Sequence, residues 1–241
     1  MKYLLILTFL LSSFSYAKSV GKVIAEIPEA SGIAYCSNSD TLIVVNDEGS
    51  YYEIDTDGKI LMRTKLGNYD LEGAVCEENE IFFAIEDKGI LKVQRKRIKK
   101  DKIVLDTTFN GKKLPLFNKK SGVEGIAKKD NIVYISKQSN KKKKSFIAVV
   151  QLAPTPSKII DMIEHRISDT AGLDFHEGYL YMVSDKEDLI IKYDLDKKKS
   201  VQKIKLKKGA WEGIAFDTKG SVYLADDDGR VVKYKKKALG L

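Results

Sequence analysis

Three repeating features of the sequence predict an all-β fold, a five-bladed β-propeller of four-stranded antiparallel blades. First, the segments "ASGIAY", "LEGAVC", "VEGIAK", "TAGLDF" and "WEGIAF" place a glycine at positions 32, 73, 125, 172 and 213. Second, a run of β-branched and aromatic residues follows each glycine by roughly a dozen residues. Third, further runs of this kind complete each unit, bounded by Gly, Asp or Asn turns. A period of 41 to 52 residues with four strands per unit indicates a propeller blade.

The two ends of the repeat region predict how the ring closes. The fifth unit ends with "RVVKYKKKALGL" and is one strand short, whereas "SVGKVIAEI" at 19–27 precedes the first glycine and belongs to no unit. We expect this segment to supply the missing outer strand of the last blade.

The first residues indicate export. "MKYLLILTFLLSSFSYAKS" has a lysine before an apolar run, and Ser15 and Ala17 stand at the small-residue positions read by a signal peptidase. We therefore expect residues 1–17 to be a removable signal and residues 18–241 to form a single exported propeller domain. The alternative is an uncleaved segment that tethers the protein to a membrane.

The charge balance narrows the classes of partner. Lys and Arg number 42 against 34 Asp and Glu, but an exported protein rarely meets nucleic acid. The expected partners are a small anionic ligand, an envelope protein or the membrane surface, and we expect a monomer. The lysine runs at 96–102, 141–144 and 235–237 are predicted to be solvated loops and strand edges.

Acidic residues recur where the blade geometry brings strand ends together. The start of the inner strand and the end of the next strand lie at the same end of the ring, so their acids converge. The inner strands start with Glu72, Glu124 and Glu212, and the second strands end with Asp47, Glu86, Asp185 and Asp226. Two carboxylates about 5 Å apart repel by roughly 3 kcal/mol at an effective dielectric of about 20. Protons or a cation must offset this repulsion, and an oxygen-only ligand set favours Ca²⁺. The alternative is that the glutamates bond backbone amides or lysines and only join blades.

The same segments resemble the SdiA-regulated (YjiK-like) proteins of Gram-negative bacteria. The resemblance covers roughly residues 22–235 and is carried by "EASGIAYCSNSDTLIVVNDEG", "DLEGAV", "GVEGIA", "DTAGLDFHEGYLYMVSD" and "WEGIAFDTKGSVYLADDDG". It implies a propeller related to NHL-repeat proteins, a calcium site, an envelope location and no established reaction. The family's acids fall on Glu72, Glu124, Glu212, Asp47, Glu86 and Asp185. The chain departs from the family pattern at Gln138, and at Asp226 and Asp227, which replace a Glu-Pro pair.

Two functions remain open from the sequence. One is an exported calcium-binding propeller that acts as a binding or scaffold module of the cell envelope. The other is a calcium-dependent hydrolase of a lactone or phosphoester, which also needs an open coordination position and a solvent path.

The histidines and cysteines give weaker expectations. His165 is expected at the surface, and His176 at the end of the ring opposite the acids, so neither supports a Ser-His-Asp arrangement with Ser184. Cys36 and Cys76 follow adjacent inner strands, but they stand four and three residues after their glycines. We expect their side chains on opposite sides of their strands, which favours two buried thiols over a disulfide.

Overall fold

A computed structural model describes residues 13–16, 21–119 and 121–241. Within these residues the chain forms five blades, each built on four antiparallel strands and arranged as a ring, which confirms the five-bladed propeller. In each sheet the first strand lies at the ring axis and the last at the rim. The single helical element in the described ranges is a 3₁₀ turn at Lys236–Ala238.

The strands follow the repeat units in order. Strands β1 (Ser13–Tyr16) and β2 (Lys22–Glu26) precede the first unit. Blade 1 contains β3 (Ala30–Cys36), β4 (Thr41–Asn46), β5 (Ser50–Asp55) and β6 (Ile60–Lys65). Blade 2 contains β7 (Leu71–Cys76), β8 (Glu80–Ile85), β9 (Gly89–Gln94) and β10 (Lys99–Ile103). The connection to blade 3 contains β11 (Leu105–Asp106), β12 (Thr108–Phe109) and β13 (Lys112–Lys113).

The remaining strands complete the ring. Blade 3 contains β14 (Val123–Lys129), β15 (Ile132–Lys137), β16 (Phe146–Gln151) and β17 (Ser157–Ile163). Blade 4 contains β18 (Thr170–His176), β19 (Tyr179–Ser184), β20 (Leu189–Asp194) and β21 (Lys199–Lys205). Blade 5 contains β22 (Trp211–Phe216), β23 (Ser221–Asp226) and β24 (Arg230–Lys235). Its fourth strand is β2, which pairs antiparallel with β24, so the predicted ring closure between the two chain ends is confirmed.

The repeated glycine permits close packing of the inner strands. A Cβ on Gly32 would lie 2.7 Å from the Glu72 carbonyl oxygen, and one on Gly73 would lie 2.9 Å from the Glu124 carbonyl oxygen. On Gly125 it would overlap the Ala171 carbonyl oxygen. Real Cβ atoms do not approach backbone atoms this closely, so a side chain at these positions would force the inner strands apart.

The outer strand of blade 2 differs from the expected one. The sequence predicted a fourth strand over "KIVLDTTF" at 102–109, but β10 begins at Lys99 and ends at Ile103. The chain then crosses to blade 3, where β11 pairs parallel with β17 as an additional outer strand. Part of the lysine run therefore forms an exposed strand edge, in which Lys99, Lys100 and Lys102 are all exposed to solvent.

Cys36 and Cys76 form a disulfide between blades 1 and 2, so the expectation of two thiols was wrong. Stacked blades contact each other through opposite faces of their sheets. In the core between these two blades, Ala34 and Cys36 of β3 pack with Ala74 and Cys76 of β7. Cys36 stands four residues after its glycine and Cys76 stands three residues after its own. The two side chains therefore leave opposite faces of their strands, and both enter the core that the two blades share.

Part of the expected export segment is described. Strand β1 pairs parallel with β21 at the rim of blade 4. The rest of that segment, residues 1–12 and 17, lies outside the described residues. Within the described ranges no helix is long and apolar enough to cross a membrane.

Candidate metal centre

A β-bulge marks the start of every inner strand. The pairing register shifts between Ala30 and Gly32, and shifts at the equivalent position in the other four blades. The residue before the repeat glycine falls inside the bulge, and a bulge redirects its side chain relative to the regular pleat. In blades 2, 3 and 5 this residue is a glutamate: Glu72, Glu124 and Glu212. In blades 1 and 4 it is Ser31 and Ala171.

A second set of acids lies directly after the second strand of each blade. The backbone N–H of Glu86 donates to the Asp70 carbonyl oxygen at 3.1 Å, and that of Asp227 donates to the Ala210 carbonyl oxygen at 2.9 Å. Both acceptors stand three residues before a repeat glycine, so Glu86 and Asp227 occupy the same position in their blades. Asp47 and Asp185 also follow a second strand directly.

The position of Asp226 differs from the expectation. Asp226 is the last residue of β23, one residue earlier than the position shared by Asp47, Glu86 and Asp185. Its carboxylate is fully buried and forms an ion pair with Arg230 in the same hairpin. The acid of blade 5 in the shared position is Asp227.

Asp70 and Asp169 belong to the site but were not expected from the sequence. Both stand three residues before a repeat glycine, and that column was the signal that could have identified them. Ligand oxygens of Asp47, Asp70 and Glu72 lie within 4.8 Å of one another and could hold a metal ion. We call these three residues the carboxylate triad.

Burial is the main cause of the unusual pKa values in this cluster. Burial, followed by the nearby charges of Asp70 and Asp227, raises the pKa of Asp47 to about 7. Burial and the neighbouring acids hold the pKa values of Glu72 and Glu124 well above their ordinary range. These carboxyl groups therefore favour a bound proton or a nearby cation at neutral pH.

The same effects extend to the blades opposite the triad. Burial raises the pKa of Glu212 to about 10, with Asp227 the next largest cause. Burial and the charge of Asp169 raise the pKa of Asp185 to about 6. The expected acids therefore form one electrostatically connected group, and the charge of Asp226 also contributes to the raised pKa of Asp185.

Blade 3 places a cation of the protein's own beside this group. Lys137 is 6% exposed, and its Nζ donates to the Gln138 carbonyl oxygen at 2.9 Å. Burial lowers the pKa of Lys137, whereas the charges of Glu124 and Glu86 raise it. This ammonium partly neutralises its two acidic neighbours, Glu124 and Glu86.

Two buried carboxylate oxygens in the cluster lack hydrogen-bond partners within the described part of the chain. They are Asp47 Oδ1 and Asp169 Oδ1. An unpaired buried oxygen is costly unless water or an ion binds it. The donor set of carboxylate oxygens and the unpaired Asp47 oxygen fit a hard cation such as Ca²⁺.

The triad is connected to solvent. Asp47 and Asp70 line an open cavity of about 570 Å³ together with Tyr69, Lys88 and Lys119. A cation held by the triad would therefore be within reach of a water or of a ligand oxygen.

The histidine and cysteine side chains are not part of the carboxylate triad. His176 ends β18 at the opposite end of the ring, as expected, and its ring stacks on Phe216 at 4.4 Å between centroids. His165 is buried rather than at the surface, and burial lowers its pKa to about 4. Both cysteines are in the disulfide. Ser184 Oγ donates to the Ser168 carbonyl oxygen at 2.7 Å, so the described residues contain no Ser-His pair involving Ser184.

Comparisons with known proteins agree with the fold and the repeat pattern. A family model described as SdiA-regulated matches residues 9–232. Among curated proteins, no relative matches the chain. The crystal structure of Myxococcus xanthus glutaminyl cyclase is similar with a TM-score of 0.62 and 11% sequence identity, covering 88% of this chain and 94% of that chain. At this identity the likeness concerns the fold alone.

Proposed function

Because the chain belongs to the SdiA-regulated family, we propose that it is an exported calcium-binding β-propeller acting as a binding or scaffold module of the cell envelope. The observation that carries this proposal is the carboxylate triad, in which three oxygens from different acids lie within 4.8 Å. Burial opposes the ionisation of Asp47 and Glu72, and a divalent cation would offset both their burial and the mutual repulsion of the acids.

The proposed ligands come from the inner strand of blade 2, from the residue just before that strand and from the turn after the second strand of blade 1. Asp47, Asp70 and Glu72 would bind the ion directly. Glu124 and Glu212 are close enough to affect the pKa of Glu72 and would neutralise the remaining charge of the ion. When bound, Ca²⁺ would join blades 1 and 2, which the Cys36–Cys76 disulfide also joins through their inner strands.

Export is part of the proposal. A disulfide is typical of oxidising compartments, and the first 17 residues have the pattern of a signal, so both features support a periplasmic location. An inner-membrane tether by an uncleaved segment is the alternative location.

Isothermal titration of metal-free protein with Ca²⁺ and with Mg²⁺ tests the metal site. We expect Asp70→Asn and Glu72→Gln each to weaken Ca²⁺ binding by at least about tenfold, because each removes one charged ligand. Asp57→Asn is the matched control, since this carboxylate is 83% exposed on the β5–β6 turn. Equal Ca²⁺ affinity in all four proteins would contradict the site.

The open cavity beside the triad favours one alternative, a calcium-dependent hydrolase of a lactone or phosphoester. A solvent path to the ion is what this chemistry requires beyond the metal itself. Assays against lactone and phosphoester panels discriminate the two functions. If the protein shows calcium-dependent turnover and Glu72→Gln abolishes it, the hydrolase would replace the scaffold as the proposed function. Calcium binding without turnover would support the scaffold function.

A further inference from the structure

We propose that a cavity on blade 3 binds a small soluble anion that carries an apolar group. This cavity is separate from the carboxylate triad and has a volume of about 450 Å³. Such a volume is typical of sites for metabolite-sized ligands. We call it the lysine cavity, after Lys137, Lys143 and Lys144, which line it.

The walls of the lysine cavity are amphipathic. Phe146 and Met162 contribute apolar surface from neighbouring strands of blade 3, and Pro115 contributes more from the connection after blade 2. Sites of this kind hold the body of a ligand by apolar contact, while a few charged groups fix its orientation. The cavity therefore fits a molecule with an apolar body and a charged head.

The sign of the head follows from the charges around the cavity. Three lysines line it against one carboxylate, Glu164. Lys143 and Lys144 have no ion pair within the described ranges of the chain, whereas the neighbouring Lys142 pairs with Glu187 at 3.1 Å. Two adjacent uncompensated ammonium groups at one cavity favour a carboxylate or phosphate head.

The loop that carries these lysines is held in place by hydrogen bonds. The backbone N–H groups of Lys144 and Ser145 donate to the Lys141 carbonyl oxygen, at 2.7 and 3.2 Å. Ser145 Oγ donates to the Lys137 carbonyl oxygen at 3.2 Å. A preformed loop reduces the entropy lost on binding.

This inference goes beyond the calcium proposal and does not require a bound cation. Lys137 lines the lysine cavity, yet its Nζ bonds the Gln138 carbonyl oxygen beside the acids. We therefore assign the recognition of the anionic head to Lys143 and Lys144. Lys137 forms part of the floor of the lysine cavity and does not bind the head.

Isothermal titration with phenyl phosphate, in excess chelator and again in Ca²⁺, tests the lysine cavity. We expect binding in both conditions, and we expect Lys143→Gln with Lys144→Gln to weaken it by about tenfold through the loss of two charge-assisted contacts. Lys235→Gln with Lys237→Gln makes the same charge change on exposed lysines at the opposite end of the ring and should leave binding unchanged. Equal loss in both double variants, or no binding by the wild-type protein, would overturn the proposal.

The apolar part of the cavity has its own test. Phenyl phosphate should bind at least about tenfold more tightly than inorganic phosphate, and Met162→Gln should remove most of that difference, because burying apolar ligand surface supplies it. Equal affinities for the two probes would contradict the amphipathic ligand. Displacement of phenyl phosphate by phosphatidylglycerol vesicles would assign the cavity to a membrane lipid and overturn the soluble ligand. Because all these titrations include a chelator arm, failure of the calcium site would not change their outcome.

Discussion

At the scale of single residues, each repeat glycine and the residue directly before it have separate roles. In blades 2, 3 and 5 the residue in the bulge is one of the acids proposed to act on the metal ion, and in every blade the glycine allows the next inner strand to approach. Ser31 shows that the bulge position also joins blades without a carboxylate, since its hydroxyl donates to the Leu71 carbonyl oxygen of the next inner strand. Contact between neighbouring blades at this position therefore does not require a carboxylate, which is consistent with the metal-binding role proposed for the glutamates of blades 2, 3 and 5.

The glycine role predicts a graded steric effect. Gly125→Ala should lower the free energy of unfolding by about 3 kcal/mol, because the new methyl group would overlap backbone atoms of β18. Gly73→Ala should have a smaller effect, since its nearest backbone atom lies at 2.9 Å. Urea unfolding of both variants measures the difference. Equal and small effects would contradict close packing of the inner strands.

A carboxyl group away from the candidate site predicts a pH dependence. Asp174 accepts hydrogen bonds from the Phe175 and Phe216 backbone N–H groups, and burial raises its pKa to about 7. It borders a small cavity at the other end of the ring axis, so partial solvent contact reduces the energetic effect. Because the pKa of Asp174 is raised in the folded protein, the protonated carboxyl group stabilises the folded state. This contribution to stability is fully present below pH of about 4 and is lost as the pH rises through about 7.

Asp174→Asn should therefore stabilise the protein relative to wild type more at pH 8 than at pH 4. The expected change in the difference is about 1 to 2 kcal/mol, measured by urea unfolding at both values. Asp57→Asn serves as the exposed control and should show no such change. A constant difference between wild type and Asp174→Asn at the two pH values would disprove the assignment.

The sequence identified the residues that stand directly before the repeat glycine in each blade. It did not identify acids three residues before that glycine, and at the end of the second strand of blade 5 it was wrong by one residue. The Glu-Gly column was visible because it repeats with an invariant glycine. Asp70 stands three residues before the glycine, where the other blades have Glu29, Gly122, Asp169 and Ala210. This column is acidic in three blades, but it was harder to recognise than the Glu-Gly column because it does not adjoin the glycine. The choice between Asp226 and Asp227 depended on the pairing register, which the sequence alone did not determine.

At the scale of elements, the disulfide joins neighbouring blades at their inner strands. Replacing both cysteines by alanine should lower the free energy of unfolding by about 4 kcal/mol, because the bridge closes a loop of sequence separation 40 in the unfolded chain. Thermal unfolding with and without dithiothreitol measures this effect. The reductant should lower the melting temperature of wild type only, and equal melting temperatures for wild type and variant would contradict the bridge.

The elements were predictable where strands alternate and end at turns. Four strands per blade followed from runs bounded by Gly, Asp and Asn. The outer strand of blade 2 was misplaced because edge strands have little burial to define a pattern, and β10 is mostly lysine. The orientation of Cys36 and Cys76 required knowing that stacked blades use opposite faces of their sheets.

At the scale of the whole molecule, closure of the ring depends on β2. A chain that starts at Ile27 should melt well over 10 °C below one that starts at Gly21, because loss of β2 exposes the edge of β24 and uncovers the core between blades 5 and 1. The chain from Gly21 is the control, since it lacks the same leading residues but keeps β2. Equal melting temperatures, measured by circular dichroism, would show that β2 does not close the ring.

The central claim concerns the acids that converge at one end of this ring. Without a cation, their burial and repulsion destabilise the folded state, so Glu72→Gln should leave the metal-free protein equally or more stable. With Ca²⁺, the wild-type protein should gain stability, since a ligand that binds only the folded state stabilises it.

The most direct measurement is thermal unfolding of wild type and Glu72→Gln in chelator, in Mg²⁺ and in Ca²⁺. We predict a rise in melting temperature that is specific to Ca²⁺ and largely lost in Glu72→Gln, with the variant at or above wild type in chelator. No Ca²⁺ effect on rigorously metal-free wild-type protein would contradict the account, and the glutamates would then serve the packing of the blades.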